Sequence, residues 1–432
     1  MTTALVVGTI IGAGIFMLPV SLAPLGRNSI IGWVVSGMGA LCIVFALAQL
    51  SRLGGNGIQA NIEREFGPTT AFLTAWAFWM SNWVAEASVA VAAGSTLSFL
   101  GRQFGGSDIV VPAAIACVLV LTAVNALGVR AAGGLSIVTV AIRVLPLLAV
   151  IWLFLERGVS GGPYEPLAPA SVNFANIATA TALTFFALTG FEAATAPVDK
   201  IRDPSRNIPL ALLAGTAFVV LVYLLAGTSI QLLLPADVVA SSRAPFADAI
   251  LTGWGRGAAS LAALAIAISA IGCMNCLILG TGELGYAMAL RGDLPAMMAR
   301  TRGANTPVNS QLVQSGLTIL LLLANSSRAT ANLYTFMILL STAGIIVVYF
   351  VGALAAWKLA RKIRDRSIIA VGLLFVVFAM YGTGLEADLW CLVLLAAGIA
   401  IRAVVWRLSS RSPGGSIRQG EAIPAVPPGS SS

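Results

Sequence analysis

The sequence predicts an all-α integral membrane protein of about twelve transmembrane helices. Three observations carry that prediction. Apolar runs near the roughly 20 residues that cross a bilayer recur from end to end. The residues are 58% hydrophobic and only 10% charged, with a mean hydropathy of +0.93, and no connection is long enough for a soluble domain. Two of the runs, the first and the sixth, are interrupted by glycine at corresponding depth, at Gly14 and Gly190.

The runs fall at about 3–22, 29–50, 70–100, 108–127, 135–156, 175–198, 207–234, 257–288, 308–325, 331–357, 367–384 and 387–408. The chain enters the first with no cleavable-signal pattern ahead of it. Its net charge of +8 would suit nucleic acid in a soluble protein, but the distribution gives another reason. With a cytoplasmic N-terminus, 18 of the 25 basic residues lie on the inner side, 6 on the outer side, and Arg143 lies inside a span. That bias places both termini in the cytoplasm.

Span 1 carries Gly8-Thr9-Ile10-Ile11-Gly12-Ala13-Gly14-Ile15-Phe16. Lipid offers no hydrogen-bond partners, so a spanning helix has to bond its own backbone throughout. Three glycines in the seven residues 8–14 weaken this one at mid-depth. Such a break is tolerated where it lines a protected cavity, and freed amides at the start of a half-helix hold an anion such as a carboxylate. Read alone, the glycines also suit close helix packing. The interruption of span 6 favours the functional reading.

Span 2 reads as a plain packing helix, and the glycine-rich, then polar stretch from Ser51 to Pro68 as a cytoplasmic turn. In span 3, Phe78, Asn82 and Glu86 share one helical face, flanked by Ser81 and Ala85. A membrane-embedded carboxylate is costly and faces a cavity or a partner. Arg143 of span 5 is a fixed positive charge, so Glu86 and Arg143 as an internal ion pair is the structural alternative. Span 6 holds Phe185-Phe186-Ala187-Leu188-Thr189-Gly190-Phe191-Glu192. Two interrupted helices in matching places point to an inverted-repeat transporter. The repeats would cover about 1–156 and 175–357, with spans at 367–408 added, so the transporter domain is 1–408. Glu283 near the end of span 8 is expected to pair with Arg291. Span 10 places Ser341 and Tyr349 on one side of a helix, and the basic turn from Lys358 to Arg366 suits anionic lipid. The tail 409–432 is Ser, Gly and Pro-rich and is expected to be disordered.

The five cysteines, including the Cys273/Cys276 pair, lie within spans, and no histidine exists. A metal site, a disulfide framework or any cofactor is therefore not expected. The absence of histidine also argues against a membrane-embedded enzyme such as a lipid-processing transferase.

On these motifs the chain resembles the amino acid–polyamine–organocation (APC) superfamily, and within it the bacterial arginine/agmatine antiporters. GTIIGAGIF resembles the family's G-x-G-x-G signature. GGNGIQANIEREFGP resembles its GG-x-Y-x-Y stretch, with Ile58 and Ala60 in place of the tyrosines. LTFFALTGFEAAT with IRDPSRNIP matches span 6 and the loop beyond, and GYAMALRGDLP resembles YAMARDGxLP. The resemblance covers nearly the whole chain. It implies a 5+5 inverted-repeat, leucine-transporter-like fold with broken helices 1 and 6, alternating access, and no chemistry on the substrate. Members carry a few residues ahead of this start, so residues upstream of Met1 are expected.

The resemblance further implies that the Ala13 and Gly14 amides bind a substrate carboxylate. Carbonyls near Ile10, Phe186 and Thr189 would accept from its amino group. Phe186 would be the gating aromatic, and Phe78, Glu192 and Tyr349 an inner gate in which Phe78 lacks the usual hydroxyl. Ser81, Asn82, Glu86, Leu277 and Ser341 fall at or beside side-chain pocket positions. The antiporters have tryptophan at the place of Leu277 and an amide at that of Glu86. Arg143 stands where many relatives carry lysine, in the volume of a sodium site of distant cousins. The expected function is secondary transport of amino acids or polyamines, cationic ones such as arginine or agmatine, across a bacterial inner membrane. Proton symport of neutral amino acids is the alternative, and a transporter-derived sensor is a further class. The expected partners are a small amino acid or amine and the lipid bilayer, not nucleic acid, with a homodimer left open.

Overall fold

The computed structural model describes residues 6–8, 10–54, 57–103, 105–127, 135–191, 204–302 and 306–409. These are helical almost throughout, and no strand occurs among them. The helices are α1 (Leu18–Leu22), α2 (Arg27–Gly54), α3 (Gly57–Gln103), α4 (Val110–Ala126), α5 (Leu135–Val159) and α6 (Phe174–Ala187). They continue with α7 (Pro204–Leu233), α8 (Ala236–Ser241), α9 (Pro245–Leu290), α10 (Val308–Ala324), α11 (Thr330–Leu359) and α12 (Ile363–Ser409). Six of them, α2, α3, α7, α9, α11 and α12, are long and apolar enough to cross a membrane. The expected tail beyond 409 lies outside the described residues.

Three of these helices are bent by a glycine whose φ only glycine holds without strain. Gly67 (φ 84°, ψ 172°) separates a short leading segment from the long span of α3. Gly255 (φ 78°, ψ −176°) does the same in α9, and Gly384 divides α12. The leading segment of α3 corrects the expected cytoplasmic turn: residues 58–66 are a helix. Ile58, Ile62 and Phe66 recur every four residues among charges, so one face packs inward. Ile62 is fully buried, and Asn61 donates to the Leu50 carbonyl at 3.2 Å.

Several helix pairings have counterparts elsewhere in the chain. α3 packs on α11, and α9 on α5; α3 packs on α4, and α9 on α10. α3 meets α9, α2 meets α7 and α4 meets α10. At the α3/α12 end, Trp76 donates to the Leu394 carbonyl (2.8 Å). Nearby the buried Arg402 lies on the faces of Phe72 and Trp406 and pairs with Asp293 at 2.8 Å. Burial pushes the Asp293 carboxyl up from its ordinary range, and the Arg402 guanidinium opposes that. Glu283 does not take Arg291 as its partner: it is exposed, and Arg291 pairs instead with Glu63 of the α3 leading segment. Packing α9 against α3 brings that segment within reach of the arginine.

Candidate substrate site at the two helix breaks

The first span is broken where the glycines predict. Its first half ends with Ile11 donating to Val7 (2.9 Å) and Gly12 donating to Ile10 (2.7 Å). Gly12 is extended, and a single 3-10 turn, Ala13–Phe16, follows before α1. The first amides of such a turn have no acceptor within it, which leaves those of Ala13 and Gly14, both buried.

The carbonyls of the same stretch are already taken. The Ile10 carbonyl accepts from Gly12 and from the Tyr223 hydroxyl at 3.4 Å. The Ile11 carbonyl accepts from Arg143 Nη1 at 3.0 Å, and the Gly14 carbonyl from the Tyr334 hydroxyl. The break therefore has spare donors and used acceptors, which is the polarity of an anion site. Arg143 is 6% exposed and sits at the C-terminal end of the first half-helix, where a cation is favoured. The expected alternative, an Arg143–Glu86 ion pair, is not formed: no donor or cation bonds either Glu86 oxygen. The Ile11 carbonyl draws the guanidinium to the break instead.

The sixth span also stops. α6 ends at Ala187, capped by Leu188 donating to the Phe185 and Phe186 carbonyls, and Gly190 has φ 106°. The Phe186 carbonyl accepts from the Thr189 amide (3.2 Å) and hydroxyl (2.7 Å) as well. The Phe186 ring lies on the first break: a Cβ on Gly14 would sit 2.7 Å from its Cε1. A glycine at 14 is thus what lets the two breaks meet. Phe191 stacks on Tyr349 with ring centroids 5.1 Å apart, and Phe185 meets Tyr349 edge-on. Glu192, the expected third member of the inner gate, lies outside the described residues.

Between residues 74 and 96 of α3 the half-buried residues are Phe78, Asn82 and Ala85, a stripe at helical spacing, and the Asn82 amide donates back to the Phe78 carbonyl (2.8 Å). Glu86 is fully buried beside that stripe and lies near Thr318 of α10. Ser81 and Ser341 bond one another across α3 and α11: Ser81 Oγ to the Ser341 carbonyl at 2.8 Å, Ser341 Oγ to that of Ser81 at 2.9 Å. Leu277 and Cys273 of α9 are half-buried, and Cys273 Sγ lies 3.6 Å from where a Gly12 Cβ would be. Cys276 is exposed rather than packed.

Sequence reasoning missed Tyr223 and Tyr334, both fully buried with hydroxyls on carbonyls of the break. The available signal was a tyrosine in an otherwise apolar span, because a buried phenol hydroxyl needs a partner.

A helical membrane protein organised around two interrupted spans, one offering unpaired amides, is the architecture of a solute carrier. The family model for amino acid permeases matches residues 1–412, and the chain belongs to that family. It is 28% identical over 344 residues to the cadaverine/lysine antiporter of Escherichia coli (strain K12), an alignment covering 76% of each chain. It is 26% identical over 409 residues to the putrescine transporter PotE of the same strain, covering 90% of this chain and 91% of that one. PotE of Haemophilus influenzae is 23% identical over 406 residues, covering 90% and 92%.

Proposed function

We propose that this chain is a secondary transporter of a cationic amino acid or its decarboxylated amine, working by alternating access across the bacterial inner membrane with both termini cytoplasmic. The polarity of the first break carries the reading. Spare amides at Ala13 and Gly14 suit the carboxylate of an amino acid. The carbonyls of Ile10, Phe186 and Thr189 would accept from its amino group, and those of Ile10 and Phe186 would have to share or exchange present bonds. Phe186 is the lid over this pair of ends. Asn82 and Leu277 would meet the substrate side chain, with Glu86 beside Asn82 as the carboxylate able to neutralise a cation. Phe78, Tyr349 and Glu192 would close the inner end, and Ser81 with Ser341 would hold α3 and α11 in register. The substrates in the relatives' names, lysine, cadaverine and putrescine, agree with a cationic cargo.

The recurring helix pairings, and the matched kinks at Gly67 and Gly255, support two five-span repeats with α12 as the added pair of spans, about twelve in all. Counterflow tests the whole: liposomes holding the purified protein and unlabelled lysine should take up labelled lysine, arginine or a diamine. The second reading, proton symport of neutral amino acids, is favoured by the apolar walls Leu277 and Phe186. It would replace the first if only neutral amino acids exchanged.

A further inference from the structure

Behind the α3 stripe runs a seam of polar side chains that the substrate site does not use. It lies where α3, α9 and α10 meet and follows one face of α10 through Ser310, Gln311, Gln314 and Thr318, all buried. At one end Ser310 Oγ and Trp79 Nε1 converge on Gly285, 2.4 and 2.9 Å from where its Cβ would be. Gln311 lies against Gly282 in the same way. Further along, Gln314 Nε2 donates to the Ile278 carbonyl (2.7 Å), and the Thr318 hydroxyl donates to that of Trp83 (3.1 Å). The seam ends at the Glu86 carboxylate beside Thr318.

Its polar atoms are mostly unbonded. Trp79 Nε1, Trp83 Nε1, both Glu86 oxygens, Ser310 Oγ, both Gln311 polar atoms and Gln314 Oε1 have no protein partner. They are eight of the sixteen such buried side-chain atoms among the described residues, gathered in one place. Interiors do not leave that many polar groups unpaired, and water is what ordinarily bridges them. The atoms include both donors and acceptors, spread over eight residues of helix, about 12 Å. The end at Ser310 lies next to the loop that carries Arg291, Arg300 and Arg302, which the charge bias assigns to the cytoplasm.

We propose that this seam is a hydrated proton path from the cytoplasm to Glu86, separate from the route of the substrate. Glu86 lies about 40° around the helix from Asn82, so it stands between the Phe78–Asn82 stripe and the seam. A proton and the substrate cation then occupy its carboxylate in turn. When a cation arriving from outside pairs with it, the carboxyl O–H bond breaks and the proton leaves by the opening through which the cation entered. When the cation is released to the cytoplasm, a proton from the cytoplasm returns to the oxygen through the water of the seam. Proton and cation therefore move in opposite directions. Of the ionisable groups on the surrounding helices, Arg143 is engaged at Ile11, and Cys117, Cys276 and Tyr349 make no bond to the carboxylate, so its charge answers to these two occupants alone.

The inference rests on the cationic-substrate reading, and two assays keep them apart. Liposomes holding the purified full chain are given labelled lysine in counterflow at equal pH, and separately with an acidic interior. Wild type should exchange lysine in the first and accumulate it in the second. Gln314→Leu should lose accumulation at least tenfold while counterflow stays within about twofold, and Gln314→Asn should restore it. Gln311→Leu serves as a second block if the first variant elutes as aggregate. Wild-type exchange with no response to the pH gradient overturns the proton path and spares the transport reading. A Gln314→Leu protein that accumulates like wild type, or loses both assays together, also overturns it. No wild-type exchange removes both.

Discussion

At the scale of single residues, the breaks work because a few side chains are small and others are spoken for. Gly14 has no Cβ, and the Phe186 ring takes that space. Gly14→Ala should leave folding intact and weaken substrate binding at least tenfold, read by calorimetry on detergent-purified protein. Unchanged affinity would show that Phe186 does not close on this turn. The Tyr334 hydroxyl occupies the Gly14 carbonyl, and Tyr334→Phe leaves that buried acceptor unpaired, at a cost of about 1–3 kcal/mol. The thermal midpoint should fall accordingly. Glu86→Gln should weaken a cationic substrate far more than a neutral one of similar size, by about 2–5 kcal/mol if the pair is desolvated. Equal losses on both would remove Glu86 from substrate recognition and put neutral amino acids first.

At the scale of elements, glycine placement made the breaks legible and periodicity made the spans legible. Gly12, Gly14 and Gly190 announced both interruptions because they stand at matching depth in two spans, which close packing of either helix alone would not require. The helix at 58–66 was hidden because its apolar stripe is only three residues among charges. The seam on α10 was hidden for a different reason. Ser310, Gln311, Gln314 and Thr318 look like ordinary polar relief in a span until α3 and α9 are seen to bury them together. Arg402 was hidden too, as one of many inner-side cations. Its pairing with Asp293 pins α12 to the loop after α9, and both side chains are 10% exposed. Arg402→Leu leaves a buried carboxylate without its partner, so stability should drop by about 3–5 kcal/mol. A double variant, Asp293→Asn with Arg402→Leu, should recover part of the loss in the same melting experiment. If both proteins melt like wild type, the pair is ornamental.

At the scale of the whole molecule, the charge bias and the repeat reading give a topology that can be checked. A reporter fused after Ser432 should be active only when directed to the cytoplasmic side, and activity outside would reverse the assignment of every loop. Transport in sealed vesicles should be indifferent to a sodium gradient. The Arg143 guanidinium occupies the spot beside the broken span, and a second cation beside it would be repelled by several kcal/mol at low effective dielectric, about 4 kcal/mol for unit charges 4 Å apart. Strict sodium dependence would show that Arg143 moves away during the cycle.

The guanidinium on the Ile11 carbonyl has a thermodynamic meaning as well. A ligand shifts a conformational equilibrium only through its different affinity for the two states, weighted by its concentration. A cation tethered to α5 by its own side chain has no concentration to vary. It biases the resting distribution of inward and outward forms by a constant amount, identical in every ionic environment. Changing that constant takes a substitution rather than a solute: Arg143→Lys or Arg143→Leu should alter the partition between the two forms in substrate-free protein, a shift visible by distance measurements between spin labels.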